Sequence, residues 1–163
     1  MVVERSLNAT AQSSTPPQSA IFDMSDHARI RRIRYGRIFA TGPNSIRLSR
    51  RLPIQSSIAQ VAWQRRFGRN RPIGCRMDYH VPLGTPRVIA IDYVLSDRRA
   101  GYNAFRRTVA AIDEIAAIRN SIAIVAHVTN DAMTDRLMER LGYQRHLPNA
   151  RGRHFIRRFY ERA

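Results

Sequence analysis

Asp92 is the residue whose neighbours promise chemistry. It interrupts the apolar run Arg87-Val-Ile-Ala-Ile-Asp-Tyr-Val-Leu95, on the alternate positions shared by Val88, Ala90 and Val94. Burial there raises a carboxyl pKa toward that of a general base near neutrality. An arginine partner would lower it instead, and ion pairing is the commoner fate of a buried acid. Just beyond lies Ser96-Asp97-Arg98-Arg99-Ala100-Gly101-Tyr102-Asn103. Free amides at a helix start, the positive end of its dipole, close approach at Gly101 and the charges of Arg98 and Arg99 would together hold an anion. His127 alternates with Ala123 and Val125, so it faces a cleft as base or donor, or packs as a hydrogen-bonded core histidine. Asp78-Tyr79-His80 gathers titratable groups on a neighbouring strand but shows no orienting partner. His146 and His154 have no nearby acid or cysteine in metal-site spacing, so no metal is expected. The chain lacks a dinucleotide fingerprint, a phosphate-loop lysine motif and a nucleophile elbow.

These side chains need elements to hold them. The Arg87–Leu95 run reads as a strand buried on both faces. From Asn103 the period turns helical, with Phe105, Val109, Ile112 and Ala116 on one stripe, Ile115 beside it and Asn120 as C-cap. Ser121–Thr129 is again strand-like, so the three segments form a right-handed crossover between parallel strands. Cys75–Val81 reads as a strand in an antiparallel hairpin with the central one. Ala28–Ala40 reads as a strand or strand pair turning near Gly36, Thr41–Ser45 as a turn, and Ile54–Phe67 as a short amphipathic helix with Trp63 as core anchor. Asn130–Leu141 reads as a helix closed by Gly142, and Tyr143–His146 and His154–Tyr160 as two short strands. Residues 1–26, rich in Ser, Thr, Gln, Ala and Pro, read as a disordered tail before a single domain over 27–163.

Composition narrows the function classes. One cysteine, Cys75, excludes a disulfide framework, and no apolar run reaches membrane-spanning length, so a soluble cytoplasmic protein is expected. The net charge is +16, and all 28 basic residues are arginine. Residues 27–77 hold 13 arginines and no acid, whereas 78–139 hold 7 against 8 acids. Nucleic acid is therefore a candidate partner for the arginine-rich flanks.

Two of these stretches, in this order, resemble the GNAT superfamily of N-acetyltransferases. That family's fourth strand enters an Arg/Gln-x-x-Gly-x-Gly/Ala loop that holds the pyrophosphate of acetyl-CoA. Arg98 to Asn103 supplies the Arg and the Gly, with Asn103 at the Gly/Ala position. The family then carries an Asn near a helix ending Leu-Gly-Phe. Asn130 with Arg136-Leu-Met-Glu-Arg-Leu-Gly-Tyr143 is similar, although Asp131 takes the counted position and Met138 stands where a thiolate-protonating tyrosine is frequent. The resemblance covers about Cys75–Tyr160. It implies an α/β (α+β) fold, a mixed central β-sheet with helices on both faces. It implies an N-acyltransferase using acetyl-CoA or another acyl-CoA, held by Val94, Leu95, Ser96, Arg98, Arg99, Ala100, Gly101, Tyr102, Asn103 and Asn130. Asp92 would be the catalytic base. A small-molecule or peptide amine would enter between the diverging central strands and attack directly. Related folds often pair through their C-terminal strands, which makes a homodimer an expectation. The other reading is a non-catalytic GNAT-like module or a basic RNA- or polyanion-binding protein.

Overall fold

Asp26 starts the first helix: its carboxylate accepts the Arg29 amide at 3.1 Å, capping α1 (His27–Arg32). Ile30 and Ile33, three residues apart, are buried, so a stretch expected to be extended begins as a helical turn. The computed structural model describes residues 21–41, 45–52, 74–96, 101–129 and 133–159. The strands are β1 (Ile21–Phe22), β2 (Tyr35–Thr41), β3 (Ser45–Arg50), β4 (Cys75–His80), β5 (Val88–Ser96), β6 (Ala123–Val128), β7 (Gln144–His146) and β8 (Arg153–Arg158). The other described helices are α2 (Gly101–Ile118) and α3 (Asp135–Arg140). Part of the segment read as tail is therefore structured, since Ile21–Phe22 pair with β3. Gly36 lies within β2 and makes no turn; a Cβ there would meet the Tyr79 ring at 2.3 Å.

The fold is mixed α+β. Among the described residues eight strands form one sheet in the order β1-β3-β2-β4-β5-β6-β8-β7. Of these described strands only β5 and β6 are parallel neighbours, and α2 crosses between them, as the strand–helix–strand pattern predicts. The stripe Phe105, Val109, Ile112, Ile115 and Ala116 is buried against Ile38, Leu48, Met77, Ile89, Ile124 and Phe155 of the sheet. Asn120 closes α2 with φ +52, where its short polar side chain tolerates the left-handed region. α3 is shorter than expected, because Thr134 caps it by accepting the Leu137 amide.

Arginines tie the helices down. Arg31 Nε donates to Ile118 O at 2.9 Å, while Arg119 Nη1 donates to Ile30, Arg31 and Ile33 carbonyls at 2.9, 2.7 and 3.0 Å. Each of the two helices therefore receives on its open carbonyl end a guanidinium from the other. Arg157 of β8 grips Asp113 of α2, and Arg153 of β8 donates to Met133 O before α3. Arg153 and Arg157 alternate with Phe155 on one sheet face, so α2 and α3 pack on that same face, with α1 beside α2. Among the described residues the helices cover this one face. The helix expected over Ile54–Phe67, with Trp63, lies outside them.

Candidate functional site

The site grows from two irregularities in β5. Its parallel pairing with β6 runs from Val88↔Ala123 to Ile91↔Ala126 and stops, although β5 continues to Ser96 and β6 to Val128. The two strands part at that point. On the other side, the register with β4 shifts: Tyr79 pairs with Ile91, but Asp78 pairs with Tyr93, leaving Asp92 as the extra residue of a β-bulge. The bulge also corrects the expected alternation. Val94 pairs with Met77 and packs on the helix-covered face, whereas Asp92 lies with Ala90 on the opposite one.

Asp92 is not a lone carboxylate in an apolar wall. One oxygen accepts from His80 Nδ1 at 2.6 Å and the other is ion-paired with Arg51 Nη2. The arginine-paired reading holds, and Asp92 is thereby an orienting group. Its side chain is 19 % exposed, yet the residue as a whole counts as exposed, so the accessible part is the bulged backbone. Arg51 is buried at the end of β3, where it also donates to Tyr79 O at 3.3 Å and lies 5.5 Å over the Tyr35 ring. Tyr35 in turn stacks on the His80 ring, with centroids 5.9 Å apart.

This frame sets the state of His80. Burial, and then the Arg51 charge, push its pKa below the usual histidine value. An ionised carboxylate can only accept, so in the neutral imidazole the proton sits on Nδ1. The lone pair is left on Nε2. The sequence placed His80 among titratable groups without an orienter; the orienter is the bulged Asp92, across one strand pairing. That contact depends on register, which no local spacing displays.

Asp78 lies two residues from His80 on the same sheet face. It is 1 % exposed and takes four hydrogen bonds: Arg37 Nε and Nη2 at 2.8 and 3.1 Å, and Arg76 Nε and Nη2 at 3.1 and 2.6 Å. Burial alone would push its pKa up, but the bonds and charges of Arg76 and Arg37 outweigh it and hold the carboxyl below the ordinary range.

The β6 arm carries histidines. His127 follows the last paired residue, Ala126, and pairs across β8 with His154, which pairs with His146. The His127 and His154 rings stack with centroids 4.5 Å apart and a 10° interplanar angle. Face-to-face rings do not converge on one ion, and no group of three or more metal-ligating side chains forms among the described residues.

Of the remaining expected residues, Val94, Leu95 and Ser96 lie at the carboxyl end of β5. Leu95 pairs with Arg76 and Ser96 with Cys75. Gly101 opens α2 at φ +66 with no atom within 4 Å of a would-be Cβ, so backbone conformation rather than space is what asks for glycine there. Tyr102 is 55 % exposed and tilted over Phe105, and Asn103 is exposed. Arg98, Arg99, Ala100 and Asn130 lie outside the described residues. No protein-family model, curated protein or solved structure matches the chain.

Proposed function

We propose that the chain is a GNAT-like N-acyltransferase in which His80, oriented by Asp92, is the general base. The observation that carries this reading is the His80 Nδ1 to Asp92 contact at 2.6 Å, made by a bulge at the point where two parallel strands part. Open sheets bind ligands beyond the carboxyl ends of such strands, where the topology switches. The strand order, four antiparallel neighbours leading to one parallel pair closed by β8, supports the GNAT-like form.

Acetyl-CoA, or another acyl-CoA, fits the residues present. The backbone of Asp92 is exposed at the parting, and the space around Gly101 at the start of the 18-residue helix α2 is open. Val94, Leu95 and Ser96 would hold the pantetheine arm, and Gly101, Tyr102 and Asn103, with Arg98, Arg99, Ala100 and Asn130, the pyrophosphate. When bound, it supplies an acyl group activated as a thioester. His80 Nε2 takes the proton from the acceptor ammonium, and Asp92 stabilises the imidazolium that forms. Arg51 pairs with the other Asp92 oxygen and fixes it, and Tyr35 holds the ring plane of His80.

Polyanion binding through the flanks is the weaker reading. Arg31, Arg37, Arg51 and Arg76 of the basic stretch, and Arg145, Arg153 and Arg157 of the C-terminal one, have partners within the protein. No described helix is long and apolar enough to cross a membrane. The test is calorimetry with acetyl-CoA together with an amine-acceptor screen. Saturable binding, with transfer abolished in His80→Gln while binding persists, supports the proposal. A folded protein that binds no acyl-CoA refutes it.

A further inference from the structure

We infer that Arg37 and Arg76 form an anion-recognition subsite beside His80, so that the acceptor is an amine bearing a carboxylate several atoms from its nitrogen. The inference rests on the acyltransferase reading for the word acceptor, but its geometry stands by itself. Asp78 and Asp92 are the acids on this face of the described strands. Asp92 is matched by Arg51. Asp78 faces two guanidiniums, Arg37 and Arg76, which leaves a positive charge in surplus within that cluster. His80 does not offset it.

The surplus charge is built rather than incidental. Asp78, 1 % exposed, fixes both guanidiniums, and Arg76 is braced 5.8 Å over the Tyr93 ring. Arg37 and Arg76 side chains remain 26 and 19 % exposed. Each binds Asp78 through Nε and Nη2, which leaves its Nη1 group outside those bonds. Pre-ordered guanidinium donors are the usual reader of a carboxylate, since little rotamer freedom remains to be lost. Asp78 and His80 are two residues apart along β4, a separation of about 7 Å. A zwitterion of that span would present its ammonium to His80 Nε2 and its carboxylate to the Arg pair. A simple alkylamine would meet an unmatched positive charge there.

A matched pair of probes, γ-aminobutyrate and its neutral amide γ-aminobutyramide, tests this by NMR titration of the full chain at constant ionic strength. The carboxylate form should bind about tenfold more tightly, one charge-assisted bidentate contact being the difference. Arg76→Gln and, separately, Arg37→Gln should each reduce that preference several-fold. Either arginine left in place still pairs Asp78, so both variants should keep the fold, as circular dichroism would check. Equal affinity for the two probes, binding of neither, or a preference unchanged in both variants overturns the subsite. Preferential binding without acetyl transfer to any amine would leave the subsite standing and remove the acyltransferase reading.

Discussion

Asp78 and Asp92 sit on one sheet face, each beside an arginine, yet they do different work. Asp78 lies in regular pairing opposite Tyr93, where four guanidinium bonds saturate it. Asp92 is the residue that pairing skips, and it divides its oxygens between one arginine and one histidine. A carboxylate closed by two arginines is a structural clamp. One that hands a single oxygen to an imidazole tunes that imidazole. The bulge separates the two fates, because it turns Asp92 toward His80 while Val94 stays in the core.

The sharpest way to break this contrast is to neutralise each acid. Asp78→Asn leaves two guanidiniums without a full counter-charge and should cost about 3 kcal/mol. That is the low end for a broken buried pair, because both arginines reach water. Its pH signature has a definite sign. The folded carboxyl lies below the unfolded value of about 3.9, so its contribution is present above that value and is lost as pH falls through the folded one. Urea unfolding against pH should show a flatter acid limb in the variant. Asp92→Asn should cost less stability, because the amide oxygen still accepts from Arg51. An equal loss in both would erase the distinction.

The second effect is on turnover. His80→Gln should lower kcat at least about 100-fold while leaving acyl-CoA affinity within about twofold, as expected of a lost general base. Asp92→Asn should give an intermediate loss, and Asp78→Asn should leave kcat per folded molecule near the parent value while changing KM for a carboxylate-bearing acceptor, since Asp78 fixes Arg37 and Arg76. Steady-state kinetics on melt-checked protein separates the three.

Much of the frame was legible from residue order. The stripe Phe105, Val109, Ile112 and Ala116, Asn120 at the cap and the apolar runs either side specify a parallel crossover by period alone. Gly142 at φ +82 marks the helix stop in the same way. The site was half legible. Asp92 drew notice as a charge in an apolar strand, but strict alternation put it beside Val94, and a bulge breaks alternation without a local sequence mark. His80 and Arg51 lie 12 and 41 residues from Asp92, and only the pairing of β4 with β5 brings them together. The 28–40 stretch was half legible: residues 35–40 are strand, but the helix α1 precedes them, held by long-range bonds in which Arg31 donates to Ile118 O and Arg119 donates to Ile30 O.

A third prediction concerns charge acting on His80. Because burial and Arg51 lower its pKa, the acid limb of kcat/KM should lie below about 6.5. Arg51→Gln removes one of those two causes and should move the limb upward by several tenths of a pH unit. The stability linkage runs the same way. A histidine whose folded pKa is lowered contributes above its unfolded value, and that contribution is lost as pH falls through the folded one. An unmoved limb in Arg51→Gln would mean the arginine only props up Asp92.

The smallest effect probes redundancy at Asp78. Arg37→Gln or Arg76→Gln alone should cost about 1 kcal/mol, since the remaining guanidinium keeps two bonds to a carboxylate that stays ionised. The double variant should cost clearly more than the sum, because the second change leaves a buried carboxylate without a cation. A double-mutant cycle read by urea unfolding measures this coupling. Additive losses would mean that water reaches Asp78 once one arginine is gone. The clamp would then be no more closed than the Asp92 pair, and the contrast between the two acids would rest on the bulge alone.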